Sequence, residues 1–334
     1  MSKAILISEH GASDKLHYED IPLEKPADGE VRIAHQAIGL NFIDVYHRTG
    51  LYPPPSLPFI PGMEGAGIIE ALGPKVEGFA VGDRVAYGAG PLGAYAEARN
   101  IPAERLVKIP AEVSDREAAA MMLKGMTAEY LICRTYQVKA GETILVHAAS
   151  GGVGQILCQW ASAIGASVIG TVGNAEKAAK AEKLGCKYTI NYRNENIEQQ
   201  VMEITDGRGL PVVYDSVGQD TFEASLNCLA PRGLLVSFGQ SSGKVPAFDI
   251  TRLSQQGSLY ITRPTLMDYV KSSEQLQRSA QALFDIYASG KVTINIGQTY
   301  TLSKAGQAHD DLENRMTTGS TVLIPDQLQL EPEG

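Results

Sequence analysis

A glycine-rich turn lies between an apolar run and an amphipathic segment in the middle of the chain. The apolar run at 144–146 predicts a buried strand, and Gly151, Gly152 and Gly154 follow it before a segment with one apolar helical face begins. Glycines let the backbone turn sharply and approach phosphate oxygens closely, while the N–H groups of a helix N-terminus stabilise the phosphate charge. This order of strand, glycine turn and helix predicts a site for the pyrophosphate of a dinucleotide.

The segments around this turn alternate between strand and helix patterns. Strands are predicted at 143–147, 167–171, 188–191, 211–216, 233–238 and 258–262, and helices at 153–164, 175–184, 197–205 and 221–229. Because parallel strands are joined by crossover helices of about this length, the alternation predicts an α/β fold with a doubly wound parallel sheet.

The first 120 residues have a different pattern. They are rich in glycine and proline and predict a helix at 114–136, N-capped by Ser114, after short strands at 30–37, 65–71 and 82–87. Helices at 274–288 and 303–315 and a strand at 321–325 follow the doubly wound region. We therefore predict a nucleotide-binding domain at 124–266, inserted between two segments, 1–123 and 267–334, that together form a β-rich domain.

The composition excludes several other classes of protein. The 29 Lys and Arg residues against 38 Asp and Glu residues give a net charge of −9, whereas broad nucleic-acid binding needs a basic face. No apolar run reaches the roughly 20 residues that span a bilayer, and the N-terminus lacks a signal-peptide pattern. The four cysteines have no metal or redox spacing, and Cys133, Cys158 and Cys228 fall at apolar positions that are expected to be buried and reduced. We expect a cytoplasmic protein without nucleic-acid or membrane partners.

The end of the second strand in the alternating region distinguishes between the two nicotinamide cofactors. NAD-binding domains carry Asp or Glu there, about 20 residues after the glycines, to accept hydrogen bonds from the ribose hydroxyls. In this chain the strand ends in Gly173 and Asn174, and Lys177 follows on the first turn of the next helix. A carboxylate would repel the 2′-phosphate of NADPH and a nearby cation would attract it, so the segment favours NADPH over NADH.

Further motifs extend over most of the chain. The glycine turn lies in a longer pattern at 141–162, and other motifs are Asn-Phe-Ile-Asp-Val-Tyr at 41–46, Val-Tyr-Asp-Ser-Val-Gly at 213–218, Val-Ser-Phe-Gly at 236–239 and Tyr-Ile-Thr-Arg-Pro at 260–264. In these motifs the chain resembles the quinone oxidoreductase (zeta-crystallin-like) branch of the medium-chain dehydrogenase/reductase superfamily, and in particular the bacterial NADPH:quinone reductases. The resemblance implies a GroES-like β-rich catalytic domain and a Rossmann nucleotide-binding domain. It also implies a homodimer formed through the Rossmann domain, in which the strand at 258–262 would pair with its counterpart.

The resemblance also implies that no zinc is bound. Zinc-dependent members of the superfamily hold the catalytic metal with a Cys in the early segment and a His in a Gly-His-Glu motif. Here the first position is Asn41, the motif reads Gly62-Met63-Glu64, and the later segment at 123–127 has no Cys. The structural zinc of the family needs four closely spaced cysteines, and residues 88–108 contain none. Because zinc needs deprotonated soft or borderline ligands in a tetrahedral arrangement, no metal is expected.

Residue roles follow from the same resemblance. The candidate catalytic residues are Asn41, Tyr46 and Tyr52, which lie in the segment that would otherwise carry the zinc ligand, and Asn41 can bind either the cofactor or a substrate carbonyl. The resemblance assigns cofactor binding to Asn41, Tyr130, Gly151, Gly152, Val153, Gly154, Gly173, Asn174, Lys177, Tyr192, Ser216, Phe238, Gly239, Thr262, Arg263 and Arg315. We expect Lys177 and Arg315 to bind the 2′-phosphate together and at least one of the two catalytic tyrosines to contact a quinone oxygen. The alternative roles are helix-end charge for the two cations and packing for the tyrosines.

The implied activity is the reduction of a quinone by NADPH without a metal. A quinone accepts hydride readily, so alignment over the nicotinamide and a hydrogen bond to the carbonyl oxygen carry most of the rate effect. The sequence does not separate this reaction from the reduction of α,β-unsaturated carbonyls, which uses the same hydride. A non-enzymatic role in RNA binding is a third hypothesis, and the net charge of −9 and the absence of a basic, aromatic-rich patch argue against it. The physiological substrate stays open, as does the choice between one- and two-electron transfer.

Overall fold

The chain forms two compact units in a computed structural model that describes residues 1–328. The first unit comprises Met1–Met126, Val270–Phe284 and the chain from residue 294 onward, and the second comprises Thr127–Tyr269 and Asp285–Thr293. The stretch Asp285–Thr293 departs from the division that we predicted, which placed all of 267–334 in the β-rich domain. Hydrogen bonds explain this grouping, because Gln159 Nε2 donates to Thr293 O and Thr293 N donates to Gln159 Oε1, both at 3.0 Å.

The N-terminal part of the first unit consists mainly of short strands. In chain order its elements are β1 (Ser2–Leu6), β2 (His17–Ile21), β3 (Glu30–Leu40), α1 (Phe42–Arg48), β4 (Glu64–Leu72), β5 (Arg84–Tyr87), β6 (Ala98–Pro102), β7 (Val107–Lys108) and α2 (Asp115–Tyr130). The predicted N-cap of α2 is confirmed, because Ser114 Oγ accepts from Glu117 N at 3.2 Å while Glu117 Oε2 accepts from Ser114 N at 3.1 Å. Helix α1 lies in a segment for which the sequence pattern predicted no helix.

The second unit alternates strands and helices as predicted. Its elements are β8 (Thr143–Val146), α3 (Gly152–Ile164), β9 (Ser167–Val172), α4 (Ala175–Lys183), β10 (Cys186–Asn191), α5 (Ile197–Ile204), β11 (Leu210–Asp215), α6 (Phe222–Asn227), β12 (Leu229–Ser237), α7 (Thr251–Gln255), β13 (Tyr260–Thr262) and α8 (Leu266–Tyr269). The sheet order is β10-β9-β8-β11-β12-β13, and every neighbouring pair is parallel. The prediction of a doubly wound parallel sheet is therefore confirmed, and β13 lies at its edge.

The chain then returns to the first unit. The remaining elements are α9 (Ser273–Ala288), β14 (Ile296–Thr301), α10 (Ala305–Glu313) and β15 (Ser320–Ile324). Strand β15 pairs antiparallel with β3, so the last strand completes a seven-stranded sheet of order β14-β15-β3-β4-β5-β7, in which β6 also pairs with β3. Across residues 1–328, every helix is too short or too polar to cross a membrane.

Each unit has its own apolar core. In the first unit, alternate residues of β3 such as Val31 and Ile33 point into the core, as expected for a sheet with one covered face. In the second unit, Leu145, Ile169 and Val213 come from adjacent parallel strands and are fully buried. Parallel strands between two helix layers lose solvent on both faces, which explains their continuous apolar runs.

The cysteines are unpaired, and one prediction about them is wrong. Cys158, Cys186 and Cys228 are buried, whereas Cys133 is only half-buried. Cys133 lies in the π-helical turn Leu131–Thr135 that follows α2, and the outer side of this turn reaches solvent at Arg134.

Candidate active site

The glycine turn of the second unit brings the N-terminus of α3 close to the end of β8. Gly151 N donates to Ala148 O at 2.9 Å, and Ala148 has a φ of +53°, so the chain reverses within four residues. A Cβ on Gly154 would collide with Ala148 O, so only glycine lets α3 begin this close to the turn. The first N–H groups of α3, at Gly152 and Val153, have no carbonyl acceptor within the helix, which is the arrangement that binds a phosphate.

A buried polar network, which the sequence motifs did not predict, holds the start of this turn. Ser225 Oγ donates to Asp215 Oδ2 at 2.7 Å, so Ser225 Oγ accepts from His147 Nε2 at 3.0 Å. His147 is therefore protonated on Nε2, and its Nδ1 accepts from Thr171 Oγ1 at 3.0 Å. Ala148 N in turn donates to Thr171 Oγ1 at 3.3 Å. Burial lowers the pKa of His147 and keeps the ring neutral, so the network fixes the first peptide of the turn without adding charge.

The ends of β9 and β10 bring together four of the predicted cofactor residues, Gly173, Asn174, Lys177 and Tyr192. Tyr192 packs over Gly173, where a Cβ would lie 2.8 Å from the tyrosine oxygen. Asn174 caps α4 by accepting from Lys177 N at 2.8 Å, which sets Lys177 on the first turn of that helix. The acidic residue of the same turn, Glu176, pairs with Lys180 at 3.0 Å.

The loops after β11, β12 and β13 are tied to one another. Arg263 Nη1 donates to Ser237 O at 2.8 Å and to Gly239 O at 2.9 Å, so the end of β13 holds the end of β12. A Cβ on Gly239 would lie 2.5 Å from Ser216 O, which brings the end of β11 equally close. Predicted cofactor residues thus follow all six parallel strands at one carboxyl edge of the sheet, including Phe238 after β12 and Arg263 after β13, and the predicted residue Thr262 is the last residue of β13. That edge is where doubly wound sheets bind ligands.

Tyr130 differs from the other predicted cofactor residues because it ends a helix rather than a strand. Its ring stacks on Tyr269, with the ring centroids 4.2 Å apart and an interplanar angle of 15°. Arg134 covers the Tyr269 ring at 5.0 Å and donates to Glu129 Oε2 at 2.6 Å. Burial raises the pKa of Tyr130, so its hydroxyl stays protonated at neutral pH and can donate a hydrogen bond.

In the first unit, Asn41 is held by a buried ion pair. Its Nδ2 donates to Glu64 Oε2 at 2.8 Å and to Gly39 O at 3.3 Å. Lys124 Nζ donates to the same Glu64 oxygen at 2.8 Å, and Leu123 N donates to Glu64 Oε1 at 2.7 Å. All three groups around this carboxylate are therefore donors. Glu64 is fully buried, and Lys124 is nearly so.

The two tyrosines that are predicted to be catalytic are in contact. The rings of Tyr46 and Tyr52 meet edge to face with centroids 5.1 Å apart, and Phe42 packs on Tyr46 at 5.4 Å. Tyr52 N donates to Tyr46 O at 3.0 Å, which ties the loop after α1 back onto the helix. Tyr46 is buried, whereas Tyr52 is half-exposed, so the Tyr52 hydroxyl is the more accessible of the two.

Arg315 follows α10 in the first unit. Its backbone has a φ of +61°, its N donates to Leu312 O at 3.2 Å, and its side chain is exposed. The turn therefore ends α10 and presents a cation just beyond the helix. A joint role of Arg315 and Lys177 at one phosphate stays a prediction.

The three segments that carry metal ligands in zinc-dependent relatives supply an amide, a thioether and an ion pair here. The amide is that of Asn41 and the thioether is that of Met63, and the ion pair joins Glu64 to Lys124. Among residues 1–328, no group of three or more His, Cys, Asp or Glu side chains is arranged to hold a metal ion. No role was predicted for Glu64, in the motif Gly62-Met63-Glu64, or for Lys124, in the segment at 123–127 that has no Cys. Their signal was the presence of two opposite charges in otherwise apolar segments.

Known proteins share both parts of this architecture. Residues 27–111 match the alcohol dehydrogenase GroES-like domain, and residues 152–281 match the family described as zinc-binding dehydrogenase. The chain is 52% identical to a quinone oxidoreductase of Pseudomonas aeruginosa over 97% of this chain and 100% of that protein. It is 47% identical to the crystal structure of Escherichia coli quinone oxidoreductase complexed with NADPH, with a TM-score of 0.95 over 97% and 100% of the two chains. It is also 43% identical to a 2-haloacrylate reductase of a Burkholderia species, over 97% and 99% of the two chains.

A GroES-like unit and a doubly wound unit with a glycine turn define a medium-chain dehydrogenase/reductase. Full-length identities of 47–52% to named members make the assignment more specific. The chain belongs to the quinone oxidoreductase family of that superfamily.

Proposed function

We propose that this chain is a quinone reductase that takes its reducing equivalents from NADPH and needs no catalytic metal. The observation that carries the choice of cofactor is the end of β9, where Tyr192 packs on Gly173 and Lys177 lies on the first turn of α4. NAD-binding domains have a carboxylate at this point. The relatives named above support the choice of substrate.

The dinucleotide fits the residues present at the carboxyl edge of the second unit. The close approach at Gly154 and the free first turn of α3 suit a pyrophosphate, and Lys177 suits a phosphate on the ribose. When bound, NADPH supplies the hydride. The chain's own residues bind and orient the cofactor and donate hydrogen bonds to the acceptor, and orientation is the main source of rate in such a reaction.

The quinone needs a hydrogen-bond donor at its carbonyl oxygen as negative charge develops there. Tyr52 is the better candidate because its side chain is half-exposed, while Tyr46 packs against it and limits where its ring can lie. The segments that hold zinc in other members contain Asn41 and Met63, whose side chains are not zinc ligands. Hydride acceptance by a quinone does not require the polarisation that an alcohol substrate needs from a metal.

Initial rates with a small quinone test the proposal directly. NADPH should be used much faster than NADH at equal concentration, and a strong chelator should leave the NADPH rate unchanged. A rate that falls with the chelator and returns with zinc, or equal use of the two cofactors, would contradict it.

A second candidate acceptor is an activated alkene, because one relative reduces a 2-haloacrylate. Parallel assays with a quinone and an α,β-unsaturated carbonyl on one enzyme sample separate the two.

We further propose a cytoplasmic homodimer formed through the second unit. Strand β13 lies at the sheet edge, with Tyr260 61% exposed on it, and Ile250 on the preceding loop is 74% exposed. An edge strand with exposed apolar residues can pair with a second copy. The unpaired cysteines fit a reducing compartment. Light scattering on the wild type and on Tyr260→Asp tests the dimer, since the charge should shift the mass toward the monomer.

A further inference from the structure

The carboxylate of Glu64 lies in a buried space beside Gly39 and is surrounded by hydrogen-bond donors. A Cβ on Gly39 would collide with Glu64 Oε2 and with Ala119 O, so only glycine at this position leaves room for the carboxylate. The surroundings then supply three donors, Leu123 N, Lys124 Nζ and Asn41 Nδ2. An ionised carboxylate accepts hydrogen bonds and cannot donate them, so it matches this set completely.

This arrangement decides which way the Asn41 amide points. An amide has one donor end and one acceptor end, and a carboxylate can bind only the donor end. The two N–H bonds of Asn41 Nδ2 are used by Glu64 Oε2 and Gly39 O. The oxygen Oδ1 faces Asp44 N in the capping box of α1, and its second lone pair is therefore what Asn41 can offer to a ligand.

The polarity of Asn41 separates its two candidate partners. An oxidised quinone presents carbonyl oxygens, which are acceptors and cannot donate to Oδ1. The nicotinamide half of the cofactor presents donors, namely its ribose hydroxyls and its carboxamide NH2 group. An acceptor at Asn41 thus suits the cofactor, and the tyrosine hydroxyls are left as donors for the quinone.

We propose that the buried Glu64–Lys124 ion pair is a positioning device that fixes Asn41 as a hydrogen-bond acceptor for the nicotinamide half of NADPH. This inference rests on the proposed use of NADPH. Lys124 compensates the buried charge of Glu64, and Glu64 in turn holds the amide. Both side chains are almost fully buried within the first unit.

The test is a thermodynamic cycle on the full-length protein, read by the binary affinity for NADPH from its fluorescence. Glu64→Gln with Lys124→Met removes both charges at nearly constant volume. The glutamine introduced in this variant has one acceptor oxygen, which accepts from Leu123 N. Its NH2 group then faces Asn41. The Asn41 amide must therefore rotate so that its oxygen faces this NH2 group. A donor then faces the donor on NADPH, and affinity should fall at least about tenfold. With Asn41→Ala also present, the same two changes should alter affinity less than twofold.

Kinetics give a second measurement, the separation of the KM for NADPH from the KM for the quinone, which a merely structural role would not change. The Glu64→Gln/Lys124→Met variant should raise the KM for NADPH and leave the KM for the quinone within twofold. An equal loss of NADPH affinity with and without Asn41, or a change confined to the quinone KM, would overturn the inference. Wild-type quinone reduction tests the proposed function separately, because the binding cycle does not depend on turnover. If Asn41→Ala leaves NADPH affinity unchanged, the inference fails even where the wild-type enzyme reduces quinones.

Two further measurements keep the test decisive if the charge variant does not fold. Selective 15N labelling of asparagine, assigned with Asn41→Ala, should show wild-type Asn41 NH2 protons that exchange slowly with solvent; fast exchange would overturn the inference. An NADPH analogue with an acetyl group in place of the carboxamide identifies the donor. Asn41→Ala should weaken this analogue as much as NADPH if the ribose is the partner, and not at all if the carboxamide is.

Discussion

Replacing Asp44 by asparagine should change how the stability of the protein depends on pH. Asp44 is fully buried in α1, where its Oδ2 accepts from Asn41 N at 2.9 Å and from Tyr95 Oη at 3.1 Å. Its Oδ1 is buried without a hydrogen-bond partner. Burial raises the pKa of this carboxyl from 3.8 to about 7, against opposing contributions from its hydrogen bonds and from Lys124, and Glu64 adds to the rise.

The magnitude follows from this pKa difference. A folded pKa of about 7 against an ordinary value of 3.8 corresponds to about 4 kcal/mol. The folded state holds the proton more tightly, so the stabilisation is complete below pH 3.8 and is lost as the pH rises through about 7. An asparagine at this position cannot ionise. The free energy of unfolding of Asp44→Asn relative to wild type should therefore rise by about 1.4 kcal/mol per pH unit up to about pH 7 and then level off.

Urea unfolding of both proteins between pH 5 and pH 8.5 measures this difference. The slope is diagnostic, because any cost of the asparagine NH2 group is the same at every pH. His309, which donates to Tyr95, does not contribute, since burial and the adjacent Arg48 guanidinium lower its pKa to about 3. Asp310→Asn, at an exposed position on α10, is the matched control and should run parallel to wild type. If Asp44→Asn also runs parallel to wild type from pH 5 to pH 7, the reasoning about burial is refuted.

Three further predictions concern binding, catalysis and the thiols. Lys177→Ala with Arg315→Ala should weaken NADPH roughly 10–100-fold and spare NADH in binary titrations, and an equal loss for both cofactors would exclude the phosphate role. Tyr52→Phe should lower kcat for a small quinone by about tenfold and Tyr46→Phe by less, and unchanged rates in both would exclude a donor role for the pair. Burial raises the pKa of Cys133 to about 11, so a thiol reagent at pH 7 should modify it about 10²-fold more slowly than free cysteine; a fast-reacting thiol in the native protein would contradict this.

The fold of the second unit could be predicted because its signals are local. Helix α3 was predicted at 153–164 and runs over Gly152–Ile164, and the alternation of strands with helices of crossover length predicted the parallel sheet. Helix α1 was missed because its stability is not local. Arg48 at its end donates to His309 Nδ1 at 3.2 Å and to Glu313 Oε2 at 2.7 Å. Both acceptors lie on α10, more than 260 residues away in sequence. Strand β14 was missed for a related reason, since its pairing partner β15 lies beyond α10.

The same distinction separates the residues that are predicted to contact ligands from those that we propose orient them. Motifs identified Asn41 and the glycine turn, because a ligand constrains residue type at fixed spacing. Motifs did not identify Glu64 or His147, whose roles depend on partners 23–78 residues away. Yet in both units such a buried group removes a choice that the contact residue would otherwise have. His147, held by Ser225, can only accept at Nδ1, and Glu64 leaves Asn41 only its acceptor atom. Hydrogen bonds between buried groups fix donors and acceptors in this way without competition from water.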